Sequence, residues 1–183
     1  MHNRGSGFSL LEVLTVIALV GIASAVAVVQ MRTTMTALDA DAASSTVVSQ
    51  LNYARQLAVD QRRNVLVEFL STNRIKITRD PLGTPAVMAD VTLPSGYAFG
   101  LPSGVPDTPD GFNPPNGAAV YFNAGTGGTF LGDGTFVDNS NVLVNGSVST
   151  IYGGNGTARA VTLSGATGRI KQWWVQGTTW VVR

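Results

Sequence analysis

The chain has 183 residues, with 12 basic and 11 acidic side chains, one histidine and no cysteine, for a formal net charge of +1. That length suits one domain plus an anchor, the near-neutral balance is not that of a dedicated polyanion binder, and the lack of cysteine excludes disulfide staples. Hydrophobic residues make up 44% and charged ones only 13%, an imbalance the N-terminal segment inflates; the 21 glycines, with many Asn, Thr and Ser, mark the remainder as rich in strands and loops.

A short polar leader carrying Arg4 ends in Gly7, and Phe8 then opens an apolar run to Val29, interrupted by Glu12, Thr15, Ser24 and small residues. At ~1.5 Å per helical residue the run reaches roughly 33 Å, enough to cross a hydrocarbon core. Glu12 is the anomaly, because a carboxylate one turn into a membrane helix costs on the order of 3 kcal/mol. A secretory signal peptide has a shorter apolar stretch and small residues after it, whereas here Gly7 comes before. A plain membrane anchor explains the length and leaves the acid unexplained.

The third reading explains both. G-F-S-L-L-E-V at Gly7–Val13 resembles the signature of type IV pilins and pseudopilins almost letter for letter. The resemblance implies that a prepilin peptidase cuts after Gly7 and N-methylates Phe8, and that Glu12 pairs with the N-terminal amine of a neighbouring subunit inside a filament. A buried carboxylate is tolerable when a cation neutralises it. The implied partners are other pilins or pseudopilins, the prepilin peptidase and an inner-membrane assembly platform. Arg4 and the α-amino group precede the apolar run with no acid beside them, so this end is expected in the cytoplasm, with the globular part in the periplasm and one pass through the bacterial inner membrane. The only histidine, His2, falls in the leader, so the mature chain has neither His nor Cys. Ser–His and Cys–His nucleophile pairs and the common zinc sites are thereby excluded, and the acids are thinly scattered; no enzyme and no cofactor are expected.

From Met31 to Gln61 there is no Gly or Pro, and Ala, Leu, Gln and Arg favour continuation of the helix. Val47, Leu51, Ala54 and Ala58, joined by Val48 and Leu57, recur at the spacing of one buried face, with Asp41, Asn52, Arg55 and Arg62 on much of the rest. Major pilins commonly carry a proline late in the membrane half of this helix; this chain has Val29 there. Gly21 and Ala25, four apart, would let helices approach closely. The expected organisation is a leader at 1–7, a membrane or filament-core helix at 8–30, an amphipathic continuation at 31–63 and a β-rich domain at 64–183. The fold class is α+β, a pilin-like long helix packed on an antiparallel β domain.

Beyond Arg63 the pattern turns to short alternating segments. Val65–Leu70 and Arg74–Thr78 form a hairpin across Ser71-Thr72-Asn73, and Val87–Leu93 and Tyr97–Leu101 flank a turn at Pro94-Ser95-Gly96. Pro102–Gly117, with five prolines, reads as a long surface loop. Further strands are expected at Ala118–Asn123, around Thr129–Phe130 and Thr135–Val137, and at Val142–Val144, Ser147–Tyr152, Arg159–Leu163, Arg169–Val175 and Thr179–Val182. Asp133, Asp138, Asn139 and Asn141 offer oxygen ligands of the kind calcium loops use, but without EF-hand spacing or a following Glu; we read them as turn chemistry.

The closing segment carries a second resemblance. A-V-T-L-S-x-x-T-G-R-I-K, from Ala160 to Lys171, is similar to the final strands of the GspH/FimT pseudopilin family, and L-P-S-G at Leu93–Gly96 and Y-F-N-A-G at Tyr121–Gly125 sit where that family places a strand turn and a strand-to-glycine step. This implies a minor pseudopilin of a type II secretion system, or alternatively a minor pilin of a type IV pilus, some of which bind DNA through basic residues of the closing hairpin. From Asn139 onward there is no acid, while Arg159, Arg169, Lys171 and Arg183 are interleaved with Trp173, Trp174 and Trp180, the ingredients of a weak nucleic-acid site. Under the alternative, Arg169, Lys171, Trp173 and Arg183 would touch DNA. Against it, loss of Arg4 leaves 11 basic side chains against 11 acids. Tryptophans on a terminal hairpin generally pack on a sheet or helix, and Gly168 suits a turn with φ > 0. The hairpin is therefore read first as structural.

Overall fold

The computed structural model describes residues 9–102, 104–112, 118–123, 125–153, 158–176 and 179–182. They fall into two compact units, Met1–Ala37 and Leu38–Arg183. Helix α1, Leu10–Gln61, runs through the boundary.

In the first unit, Leu10–Val28 is a helix long and apolar enough to cross a membrane, with a mean hydropathy of 2.4 and none of its residues buried. Hydroxyls within it are satisfied locally: Thr15 Oγ1 donates to the Glu12 carbonyl at 2.8 Å and Ser24 Oγ to that of Val20 at 2.7 Å. Such back-bonding removes the penalty of an unpaired hydroxyl in lipid.

In the second unit, α1 buries Ala40, Ala43, Ser44, Val47, Leu51, Ala54 and Ala58. This is the expected stripe, extended two turns toward the N-terminus, with Val48 and Leu57 packed at its margin. Small residues dominate it, so the helix lies close to the sheets. It ends where Arg62 adopts a left-handed conformation (φ 49°), with the Arg62 N–H donated to Val59 O and the Arg63 N–H to Ala58 O. That paired arrangement satisfies the orphan carbonyls of the last turn.

Eleven strands follow among the described residues: β1 Val65–Leu70, β2 Arg74–Arg79, β3 Ala86–Thr92, β4 Tyr97–Phe99, β5 Val120–Tyr121, β6 Gly127–Phe130, β7 Phe136–Val137, β8 Gly146–Tyr152, β9 Arg159–Ser164, β10 Arg169–Gln176 and β11 Thr179–Val182. One sheet has the order β3-β2-β1-β6-β7; the other has β11-β10-β9-β8-β4, with β5 also on β8. All pairings are antiparallel. The β1–β2 hairpin closes Leu70 on Arg74, as its alternation predicts.

The main core joins both sheets to α1. Val65, Val67, Phe69, Ile75 and Ile77 come from the first sheet, and Val148, Val161 and Leu163 from the second. Phenylalanines bridge them: Phe69 stacks on Phe122 at 5.7 Å, and Phe136 meets Phe122 at 5.2 Å and Phe130 at 4.7 Å.

One expectation is corrected and two gain detail. The turn at Pro94-Ser95-Gly96 forms as read, with the Tyr97 N–H donated to Pro94 O, and it carries the chain from the first sheet to the second. Val142–Val144 is no strand: Leu143 makes one isolated bridge to Val137, because the Asp138 carboxylate takes the amides of Ser140 and Val142 and holds a turn there. The Pro-rich loop, of which 103 and 113–117 lie outside the described residues, is at the surface as read, but it lies on the sheet there: Thr108 is buried, and Val105 packs on strand side chains.

Candidate functional site

Ser9 sits immediately before the first helical residue and caps α1. Its Oγ accepts the Glu12 N–H at 3.2 Å, and its carbonyl accepts the amides of Glu12 and Val13. Ser9 and Glu12 thus have the Ser-x-x-Glu spacing of a capping box, and an acid in the first turn complements the helix dipole. Glu12 is also the one ionisable residue of Leu10–Val28. Around it, Leu10, Leu11, Leu14 and Ile17 are all largely exposed. An apolar surface this continuous requires lipid or other helices to cover it. The remaining residues of the expected processing site, Gly7 and Phe8, lie outside the described residues, as does Arg183.

In the closing hairpin, strand alternation sends successive side chains of β10 to opposite faces. Ile170 and Gln172 face α1, and Gln172 Nε2 donates to Ser44 Oγ. Lys171 and Trp173 face the other way. Trp173 is only 4% exposed and donates its indole N–H to Thr162 Oγ1 at 2.8 Å, leaving no ring face open to a base. Lys171 Nζ lies 4.0 Å from Asp110 and 5.4 Å from the Trp173 ring centre. Arg169 alone among the expected DNA-contacting residues that are described is exposed, and it forms no ion pair among the described residues. Gly168 has φ 62° in the turn before β10, and a Cβ there would lie 2.4 Å from Arg55 Nε. Arg55 in turn reaches the carbonyls of Gly134 and Thr167, tying two turns to the helix.

Arg159, counted from sequence among the cations of the hairpin, is withdrawn from the surface. Its Nε donates to Asp41 Oδ1 at 2.8 Å, its Nη1 to Ala158 O at 3.1 Å, and its guanidinium lies 5.0 Å from the Trp174 ring centre. Sequence reasoning missed this pair. The available signal was β9 itself: Arg159 falls on the same alternation as Val161 and Leu163, so it had to be buried and therefore partnered.

The Asp133 and Asp138 carboxylates are engaged in turns. Asp133 accepts the hydroxyl and amide of Thr135. Asp138 accepts the amides of Val142 and Ser140 and the Asn123 side chain, and these bonds hold its carboxyl below the usual carboxylate range. No group of three or more His, Cys, Asp or Glu able to hold a metal occurs among the described residues.

The family model for the prokaryotic N-terminal methylation motif matches residues 2–28, the stretch that contains Gly7, Phe8, Ser9 and Glu12. This prepilin-type motif supports a type IV pilin-like protein, and with the apolar helix and the antiparallel β sheets that follow it fits a membrane-anchored, single-pass chain. Proteins of that class are structural subunits. Comparison with curated proteins and with solved structures gave no match.

Proposed function

We propose that this chain is a minor pseudopilin of a type II secretion system, a priming subunit of the short filament that helps move folded proteins outward. The observation that carries the reading is Glu12: a lone carboxylate, one turn into an apolar helix, inside a methylation motif. Cleavage between Gly7 and Phe8 creates a new amine, methylated on Phe8, next to a helix that starts at Leu10 and is capped by Ser9. Glu12 gives the amine of a neighbouring subunit its partner. Helix packing around the neutralised pair favours withdrawal from the bilayer into the filament. Before that withdrawal the N-terminus is cytoplasmic and the β domain periplasmic. The GspH/FimT-like closing strands and Val29 in place of a late proline support a minor subunit and fit either branch. The DNA-binding alternative is less favoured, because Trp173 and Lys171 are engaged within the fold.

Pull-down of the full chain from detergent-solubilised membranes tests the assignment. Recovery of other pseudopilins and a secretion assembly platform is expected; recovery of pilus subunits and retraction machinery would overturn the secretion branch. A bulky residue in place of Gly7, as in Gly7→Leu, is expected to block processing, seen as an unshifted band on a gel; a normal shift would count against peptidase recognition.

A further inference from the structure

The second sheet is covered on both faces. α1 covers one; on the other, the segment from Gly104 to Gly111 lies across β9, β10 and β11. Between it and the strands is a small apolar cluster, separate from the main core, of Ala160, Trp173 and Trp180 with Leu101 and Val175, to which the segment itself contributes Val105. Polar contacts clasp the segment at two points. The Trp180 indole donates to Pro106 O at 2.7 Å. Asp110, whose side chain is only 9% exposed, accepts the Thr162 hydroxyl at 2.7 Å and the Thr108 hydroxyl at 2.8 Å, opposite the Lys171 ammonium. Both flanking glycines have left-handed φ, 82° at Gly104 and 70° at Gly111, with open space around each. A short clasped segment between two such joints, resting on its own small cluster, has the makeup of a unit that opens without unfolding the sheet.

The charges point to what the surface beneath recognises. The strands from Asn139 onward contain no acid, so the carboxylates at this face, Asp107 and Asp110, come from the segment itself. Beside Asp110, a cup of about 260 Å³ between Thr167, Arg169 and Lys171 is left unfilled, and Arg169 at its edge has no ion pair among the described residues. A second carboxylate would fit there.

We propose that Val105–Asp110 is a hinged strap occupying, in cis, a groove that recognises an extended acidic, proline-bearing segment, and that such a segment of a neighbouring subunit replaces it. The identity of that neighbour rests on the assembly role above; the groove and the strap do not. All three tryptophans of the chain lie on β10 and β11, and two of them are sealed by the strap, so intrinsic fluorescence reads its position directly.

The experiment uses the full chain in detergent micelles. Asp110→Ala is expected to roughly double acrylamide quenching of tryptophan while circular dichroism and the main thermal transition stay unchanged. A synthetic peptide of residues 104–111, GVPDTPDG, is expected to reverse the quenching in that variant, and its Asn counterpart GVPNTPNG is not. Unchanged quenching in the variant overturns the strap, and failure of the acidic peptide to protect overturns the groove. Should Asp110→Ala unfold the protein, hydrogen exchange on the wild type decides. The Gly111 amide, bonded to Thr108 O, is expected to exchange far faster than the β9 and β10 amides, and exchange at one common rate overturns the proposal. None of these readouts depends on cleavage or assembly, so their failure leaves the role of Glu12 standing, and its failure leaves them standing.

Discussion

Glu12→Ala is expected to be processed normally and yet to fail in assembly. The substitution acts twice in one direction. It removes a carboxylate whose insertion into lipid costs on the order of 3 kcal/mol, so the subunit rests more comfortably in the bilayer. It also removes the proposed counterion of a neighbouring amine, which would be left uncompensated in a helical bundle. A difference of ~3 kcal/mol corresponds to roughly 100-fold weaker incorporation. The local effect on α1 is much smaller, because an acid in the first turn contributes about 0.3–1 kcal/mol, so helicity is expected to hold. Glu12→Gln keeps the shape without the charge and is expected to behave as Ala does. Quantifying the variant in sheared filaments and membranes checks this; assembly at the wild-type level would remove the proposed role.

Asp41→Ala is expected to be the most damaging single polar substitution in the β domain. Arg159 has a side chain only 6% exposed and Asp41 one 25% exposed, so removing the acid strands a buried guanidinium between Ala158 O and the Trp174 ring. Breaking a fully buried pair costs about 3–5 kcal/mol, and the partial exposure of Asp41 places this one nearer 2–3. Arg63–Asp80, at 2.7 Å, is geometrically as good, but the Arg63 side chain is 58% exposed. Arg63→Ala is therefore expected to cost less than about 1 kcal/mol. The double variant Asp41→Leu/Arg159→Met is expected to recover most of the loss, since apolar replacement of a buried pair is often neutral. Denaturant melts compare the three, and equal losses from Asp41→Ala and Arg63→Ala would contradict the ranking.

What was legible in the sequence was local. The Val47–Leu51–Ala54–Ala58 stripe and the alternation of Val65–Leu70 depend on neighbours three or four, or two, residues away, and both are found as read. The N-terminal signature is equally local, because Gly7, Phe8 and Glu12 stand in fixed order. What was not legible depends on long-range pairing. β1 lies between β2 and β6, and nothing near Val65 announces Phe130 as its partner. Arg159 meets Asp41 across 118 residues. No strand falls among the described residues 104–112, as the prolines there require, but proline content says nothing about whether a loop stands free or lies on a sheet. That is decided by the Trp180 and Thr162 donors waiting for Pro106 and Asp110. The basic residues of the closing strands are neighbours in sequence without forming one patch. Alternation divides them, with Arg159 turned toward the helix and Lys171 away from it.

The central claim is that the N-terminal segment is processed as a prepilin. Mass spectrometry of the mature protein, isolated from a membrane that contains the peptidase, tests it most directly. The expected product begins at Phe8 and carries one added methyl group on its amine. A chain that keeps Gly7 and everything before it, or one cut after the apolar run, would contradict the account.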